Sequence, residues 1–142
     1  MSAIPQALLL LFLAASAAVG AFYLHPRAPA LYLMEEPLRD DEVSLAQIEE
    51  RWQGDVLWLD ARPRDQFVQE HVPGALLLNE QDFDNQLFEL LEKLQTNSKP
   101  VIIYCSGERC DASHKVRERL LQAVPIDHCY VLKGGWSAWK GR

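Results

Sequence analysis

The chain begins with a continuous apolar run, and its remaining apolar residues follow a different, periodic pattern. Residues 7–24, ALLLLFLAASAAVGAFYL, carry no charged side chain. A helix of these 18 residues would be about 27 Å long, close to the ~30 Å hydrocarbon core of a bilayer. Soluble helices are rarely apolar on every side over such a length. We therefore predict a signal-anchor or transmembrane helix over residues 1–26, followed by a linker over residues 27–42.

A cleaved signal peptide is the alternative interpretation of this segment. Small residues at 15–18 (ASAA) resemble a cleavage site, but no Lys or Arg precedes the apolar run, which also continues through Leu24. We therefore favour a single-pass membrane protein with an exported soluble domain. A secreted or periplasmic protein, released by cleavage, is the alternative.

The rest of the chain alternates short apolar runs with stretches of helical periodicity. Four runs have the length and composition of buried strands: Val56–Leu59, Ala75–Leu78, Val101–Tyr104 and Cys129–Leu132. Helical stretches, the first opened by a Ser44/Gln47 capping-box pattern, lie at residues 45–53, 64–70, 87–94 and 111–124, and after Gly134-Gly135. This alternation predicts an α/β domain over residues 43–142, with a mostly parallel sheet of about five short strands flanked by helices.

Composition adds information mainly through the distribution of charge. The chain has 142 residues and a formal net charge of −6, and every charged residue falls after residue 26. An acidic domain lacks the basic face that a general nucleic-acid binder needs, so we expect no nucleic-acid partner. Three cysteines are too few for a disulfide scaffold. Cys105, Cys110 and His114 lack a fourth ligand at the usual spacing, so we expect no metal site.

The candidate chemistry lies at Cys105. Ligands bind outside the carboxyl ends of the strands in such sheets, and Cys105 directly follows the most strand-like run of the chain. The loop of residues 106–110 then leads into a helix. Its backbone N–H groups, the helix N-terminus and Arg109 would favour a thiolate or a bound anion. A nucleophilic cysteine needs this arrangement, but a small buried side chain that ends a strand fits the spacing equally well.

Three segments, in order along the chain, resemble the signature motifs of the rhodanese-like family. They are LDAR at 59–62 with HVPGA at 71–75, VIIYC at 101–105, and VLKGGW at 131–136. Their order and spacing cover roughly residues 43–141, the size of a full single domain. One such motif is weak, whereas three in the family's order and spacing are specific.

The resemblance implies a sulfurtransferase that needs no metal or organic cofactor. Cys105 would be the catalytic nucleophile, which takes a sulfane sulfur from a donor such as thiosulfate or a persulfide and becomes a persulfide itself. It would then pass this sulfur to a thiol or another thiophilic acceptor. The loop that binds the donor and cradles the outer sulfur would consist of Ser106, Gly107, Glu108, Arg109 and Cys110.

The loop departs from the usual family pattern, which often has arginine directly after the cysteine, glycine three positions after it, and arginine or threonine five positions after it. Here Ser106, Glu108 and Cys110 occupy these positions, which is similar to a cysteine-rich subgroup of the family. Glu108 and Asp111 disfavour a dianion, so protein thiols or persulfides are alternative substrates to thiosulfate. Related phosphatases would need arginine where this chain has Asp111, so we expect no phosphatase activity.

The other two cysteines and the remaining signature residues are expected to have different roles from that of Cys105. Cys110 is a candidate resolving thiol for Cys105, and a non-catalytic binding or thiol-redox module that uses this pair is the alternative to an enzyme. Cys129 is assigned to the core. The other signature residues are expected to shape the structure rather than to react: Asp60, Arg62, His71, Gly74, Gly134, Gly135 and Trp136.

Overall fold

The computed structural model describes residues 3–24, 37–107 and 111–142, with side chains described for residues 5–20 of the first range. The chain divides into two compact units, Met1–Pro37 and Leu38–Arg142. The described part of the first unit contains a single helix, and every described strand lies in the second unit.

The helix of the first unit, α1 (Ala3–Leu24), has no acidic residue in its first turn and no basic residue in its last turn. Its side chains from Leu8 to Leu13 are 55–70% exposed. No helix within the described residues reaches the combined length and hydropathy that a membrane span requires. A helix over the apolar run is thus confirmed, whereas its assignment as a transmembrane span is not supported.

The second unit is a five-stranded sheet flanked by helices. Its elements are β1 (Glu42–Val43), α2 (Leu45–Trp52), β2 (Leu57–Asp60), α3 (Arg64–Gln69), β3 (Leu76–Leu77), α4 (Phe83–Gln95), β4 (Val101–Tyr104), α5 (Ala112–Ala123), β5 (Cys129–Leu132) and α6 (Gly135–Lys140). The strand order is β1-β5-β4-β2-β3, and every pair is parallel. β4 is therefore central, with Ile103 paired to Leu59 of β2 and Val131 of β5. The predicted α/β class and parallel sheet are confirmed.

β1 is the strand that the hydrophobic pattern did not locate. Its two residues, Glu42 and Val43, pair with Val131 and Leu132 of β5. They fall on either side of the predicted boundary between linker and domain, and two residues are too few to show strand periodicity. β1 is therefore defined by its partner strand rather than by its own sequence.

Local signals determine where α2 begins and ends. Ser44 Oγ accepts a hydrogen bond of 3.2 Å from the backbone N–H of Gln47, whose side chain accepts one of 3.1 Å from the N–H of Ser44. This capping box satisfies two N–H groups that have no partner within the helix. The helix ends at Trp52 because Gln53 and Gly54 both adopt positive φ, at 53° and 74°.

Alternation along β4 divides the core into two clusters, one on each face of the sheet. Ile103 belongs with Cys105 to the cluster that contains Val116 of α5. Ile102 and Tyr104 belong to the other cluster, which packs against α2 and α6. Because side chains alternate along a strand, Cys105 lies on the α5 face while its neighbour Tyr104 lies on the opposite face.

Candidate active site

Cys105 directly follows β4, so it lies at the edge of the sheet where the parallel strands end. Its side chain is 3% exposed. Its Sγ atom lies 3.5 Å from Ser113 Oγ and 3.6 Å from the carbonyl oxygen of Gly107. Cys105 is disulfide-bonded. Cys129 in β5 is instead a free thiol, and burial raises its pKa to about 12.

The N-terminus of α6 holds the first residues of the loop. The backbone N–H of Trp136 donates to the carbonyl of Cys105 at 2.6 Å, and that of Ser137 donates to the carbonyl of Ser106 at 3.3 Å. The Ser137 hydroxyl donates to the same Ser106 carbonyl at 2.9 Å. In a planar trans peptide the N–H points opposite to the C=O, so the N–H groups of Ser106 and Gly107 are directed away from α6.

Gly135 allows this close approach between α6 and the loop. Its φ is +50°, and a Cβ atom there would lie 2.3 Å from the carbonyl oxygen of Cys105. Gly134, the preceding residue, has a φ of +73°. Both the backbone conformation and the available space therefore require glycine at Gly135.

A buried polar network joins the ends of β2 and β4. Arg62 donates hydrogen bonds to the Asp60 carboxylate through its backbone N–H at 2.9 Å, through Nε at 3.0 and 3.1 Å, and through Nη2 at 2.7 Å. Tyr104 Oη donates to Asp60 at 2.7 Å and accepts from the N–H of Val72 at 3.1 Å. Burial lowers the pKa of Arg62, but the hydrogen bond and charge of Asp60 raise it by more. Burial also raises the pKa of Tyr104, whose hydroxyl therefore stays a donor.

Arg62 extends this network to α3 and α6. Its Nη2 also donates to the carbonyl of Glu70 at 2.7 Å. Its guanidinium lies 4.3 Å from the ring centroid of Trp136, within the range of a cation–π interaction. Arg62 thus connects the end of β2 with the helix whose first N–H groups hold Cys105 and Ser106.

His71 and Gly74 lie in the turn between α3 and β3. His71 is exposed, its Nδ1 lies 2.8 Å from the carbonyl oxygen of Phe67, and the two rings stack with centroids 4.1 Å apart. Gly74 has a φ of +79°, and a Cβ atom there would meet nothing within 4 Å. The turn needs glycine for its backbone conformation alone.

Three of the predicted loop residues, Glu108, Arg109 and Cys110, fall outside the described residues, and what was predicted for them stays a prediction. Within the described part of the chain, no group of three His, Cys, Asp or Glu side chains is placed to hold a metal ion. His114 instead faces β1, with Nδ1 2.9 Å from Asp41 Oδ2 and Nε2 3.4 Å from a Glu42 carboxylate oxygen.

Sequence reasoning gave no role to Tyr104, Ser113 or Ser137. Ser113 had a detectable signal, because it shares a helical face with Val116 and Leu120 and is therefore a polar residue at a core position. The Tyr104 hydroxyl contacts Asp60 because β4 and β2 are neighbours in the sheet. Ser137 contacts the loop because α6 packs against it. Neither contact leaves a trace in the local pattern.

The fold and the site define a class of protein, a parallel α/β domain in which a buried cysteine follows the central strand. A helix that begins at a glycine packs against the backbone of that cysteine. The family profile described as "Rhodanese-like domain" matches residues 44–142. The chain therefore belongs to the rhodanese-like domain family.

Solved structures show the same fold. A Bacillus halodurans protein matches with a TM-score of 0.54 at 23% identity, over 70% of this chain and 71% of the other. A rhodanese-like domain protein from Staphylococcus aureus matches with 0.52 at 21%, over 70% and 90%. A protein from Anabaena sp. matches with 0.51 at 24%, over 70% and 85%. No curated protein matches the chain significantly.

Proposed function

We propose that this domain is a sulfurtransferase that carries sulfane sulfur as a persulfide on Cys105. The supporting observation is the environment of Cys105: it ends the central strand, and the carbonyl groups of Cys105 and Ser106 turn toward α6. The N–H groups of Ser106 and Gly107 point the other way, and backbone N–H groups of this kind can cradle an anionic sulfur. Rhodanese-like domains are often sulfurtransferases, so family membership supports the same activity.

The reaction takes two displacement steps. In the first, the Cys105 thiolate attacks the sulfane sulfur of the donor, a new S–S bond forms, and the donor leaves with the electron pair of the broken bond. In the second, an acceptor thiolate attacks the outer sulfur of the persulfide, and the electron pair of its bond to Cys105 returns to Sγ. Electrons balance within each step, so thiols and sulfane sulfur are sufficient reactants.

We infer that the donor is a persulfide and the acceptor a thiol, in preference to thiosulfate as donor. Asp111 is exposed where the loop enters α5, and Glu108 precedes it by three positions. The sequence of the loop and its junction with α5 thus carries two negative charges, which disfavour a dianion more strongly than a singly charged thiolate or persulfide. Arg109 offsets one of these charges. With Cys110 five positions after Cys105, the loop sequence is similar to the cysteine-rich variant of the family.

We propose Cys110 as the resolving thiol that forms a disulfide with Cys105. Cys105 is disulfide-bonded, while Cys129 is free and 4% exposed, which supports Cys110 as the partner among the three cysteines of the chain. The same disulfide favours the second candidate function, a thiol-redox module in which the pair cycles without sulfur turnover.

The test is to load the reduced full-length protein in detergent with thiosulfate or with a low-molecular-weight persulfide. Mass spectrometry of the Cys105 peptide then reports whether one sulfur atom has been added and whether a thiol removes it. We expect loading by the persulfide, weaker loading by thiosulfate, and no loading of Cys105→Ser.

Two further cysteine variants separate the candidate functions. Cys129→Ser should load as the wild type does, because Cys129 lies in the core. Cys110→Ser should keep the added sulfur but lose the disulfide. If wild-type protein gains no sulfur from either donor and only cycles between disulfide and dithiol, the thiol-redox module replaces the enzyme.

We also propose that the apolar N-terminal segment directs the domain out of the cytoplasm, as a retained anchor or as a cleaved signal. Residues 7–24 contain no charge, and the Leu8–Leu13 side chains of α1 are largely exposed. Membrane fractionation of expressing cells, with intact mass of the purified protein, tests this. A full-length protein that stays in the soluble cytoplasmic fraction would contradict it.

A further inference from the structure

Ser113 is a polar residue at an apolar position. It lies in the first turn of α5, is 1% exposed, and shares a helical face with Val116 and Leu120. Its hydroxyl lies 3.5 Å from the Sγ atom of Cys105. Because a buried hydroxyl costs free energy unless it forms hydrogen bonds, a serine among core side chains calls for a polar contact such as this one.

The direction of this contact follows from the chemistry of the sulfur. Cys105 is disulfide-bonded, so its Sγ carries no proton and the hydroxyl of Ser113 is the donor. A disulfide sulfur is a weak acceptor, whereas a thiolate is charged and accepts more strongly. The hydrogen bond therefore gains strength when the disulfide is reduced and Cys105 ionises.

The other serines beside the loop have different partners. The hydroxyl of Ser106 is 3.3 Å from Oε1 of Gln66, and that of Ser137 donates to the backbone carbonyl of Ser106. Ser137 thus supports the loop backbone and Ser106 faces α3, while Ser113 meets the reacting atom itself.

We propose that Ser113 is a catalytic residue that stabilises the Cys105 thiolate by donating a hydrogen bond to Sγ. The proposal rests on the sulfurtransferase function proposed above. In the loading step the bond favours the thiolate, which is the attacking species. In the unloading step the electron pair of the broken S–S bond returns to Sγ. The same hydroxyl then stabilises the negative charge that develops on Sγ by donating a hydrogen bond to it. The uncharged inner sulfur of the persulfide accepts more weakly, so the bond favours release of the outer sulfur.

The experiment measures the thiolate directly, independently of sulfur transfer. Reduced full-length protein in detergent is alkylated with iodoacetamide between about pH 5 and pH 10, and peptide mass spectrometry gives the rate at Cys105. We expect Ser113→Ala to move the pH midpoint of alkylation upward and to slow the reaction at neutral pH roughly ten-fold. Ser113→Thr, which keeps a hydroxyl, should recover most of the wild-type rate.

Ser44→Ala is the matched control, because it also removes a hydrogen-bonded serine hydroxyl, but from the capping box of α2. It should lower the unfolding midpoint and leave the alkylation profile of Cys105 unchanged. Ser113→Val, which is isosteric with the threonine variant but lacks the hydroxyl, gives a second comparison if the alanine variant does not fold.

The outcomes separate this inference from the proposed function. A folded Ser113→Ala protein with the wild-type alkylation profile overturns the role of Ser113, even if sulfur transfer proceeds. Wild-type protein that accepts no sulfur overturns the sulfurtransferase. An upward shift in Ser113→Ala with recovery in Ser113→Thr, together with slower unloading of the persulfide to a thiol, supports the catalytic role.

Discussion

Arg62 shows how single side chains hold the edge of the sheet on which Cys105 lies. It pairs with Asp60, donates to the carbonyl of Glu70 and lies over the ring of Trp136. Asp60 is fully buried, and Arg62 is 4% exposed. Removing one partner of such a pair leaves an uncompensated charge in the interior, which costs more than losing an exposed pair.

Arg62→Ala is expected to lower the free energy of unfolding by roughly 3–5 kcal/mol. The matched control is Lys99→Ala, which removes the ion pair between Lys99 and Asp55, whose side chains are 51% and 69% exposed. That pair is expected to contribute about 1 kcal/mol or less. Urea unfolding followed by tryptophan fluorescence measures both, and similar losses in the two variants would contradict the role given to burial.

Asp41 gives a prediction for the acid range. Partial burial raises its pKa, but the hydrogen bond and charge of His114, with the charges of Arg117 and Arg39, lower it by more, to below the ordinary 3.8. Because the pKa is depressed in the folded state, ionised Asp41 stabilises the fold above pH 3.8, and this contribution is lost as pH falls through the folded pKa.

Asp41→Asn should therefore be less stable than the wild type near neutral pH, and the difference should shrink as pH falls below 3.8. Unfolding midpoints measured across the acid range test this. A difference that stays constant down to about pH 2 would mean that the charge of Asp41 is not what stabilises the junction of β1 and α5.

At the scale of elements, α6 determines the backbone conformation of the loop. Its first N–H groups bind the carbonyls of Cys105 and Ser106, and this is feasible only because Gly135 has no Cβ. The glycines at 134 and 135 were predicted from the sequence as a turn into a short helix; Gly134 lies in that turn, and Gly135 begins α6. Their second use, the close approach to Cys105, depends on how α6 packs and was not evident from the local pattern.

Gly135→Ala is expected to displace the loop and to reduce persulfide formation on Cys105 by at least about ten-fold, because its Cβ would collide with the Cys105 carbonyl. Gly74→Ala is the matched control: it also places alanine at a positive φ, but with nothing within 4 Å of the new Cβ. The control should lose roughly 1–2 kcal/mol of stability while keeping the loading rate. Equal loading rates in the two variants would contradict the importance of this contact.

For the whole molecule, the sequence predicted the helices and strands that have a clear hydrophobic pattern. It did not predict the contacts between residues that are distant along the chain. β4 and β5 were located to the residue, since continuous apolar runs such as Val101–Tyr104 are specific for buried strands. Glu42 and Val43 of β1 were missed because a two-residue strand exists only through its pairing with β5. The position of Cys105 at the sheet edge followed from strand order, whereas the partners of Ser113 and Ser137 could be identified only from the three-dimensional structure.

Within the described residues, the core of the second unit is built from its own side chains, so we expect this unit to fold without the first. Every member of the two core clusters lies after residue 42. The segment that leads into β1 is held within the same unit, since the N–H of Val131 donates to the carbonyl of Asp41 and that of Lys133 to the carbonyl of Val43. These hydrogen bonds indicate that the folded domain begins before Asp41.

A protein comprising residues 38–142 is therefore expected to unfold cooperatively at the same midpoint as the full chain in detergent. A shorter protein that starts at Ser44 loses β1 and leaves the N–H groups of Val131 and Lys133 without these partners. One buried N–H group without a partner lowers the free energy of unfolding by about 1–3 kcal/mol. In a domain of this size, each 1 kcal/mol lowers the melting temperature by roughly 4–8 °C. Circular dichroism melting curves compare the three proteins, and equal midpoints for the two truncated forms would show that β1 adds nothing to stability.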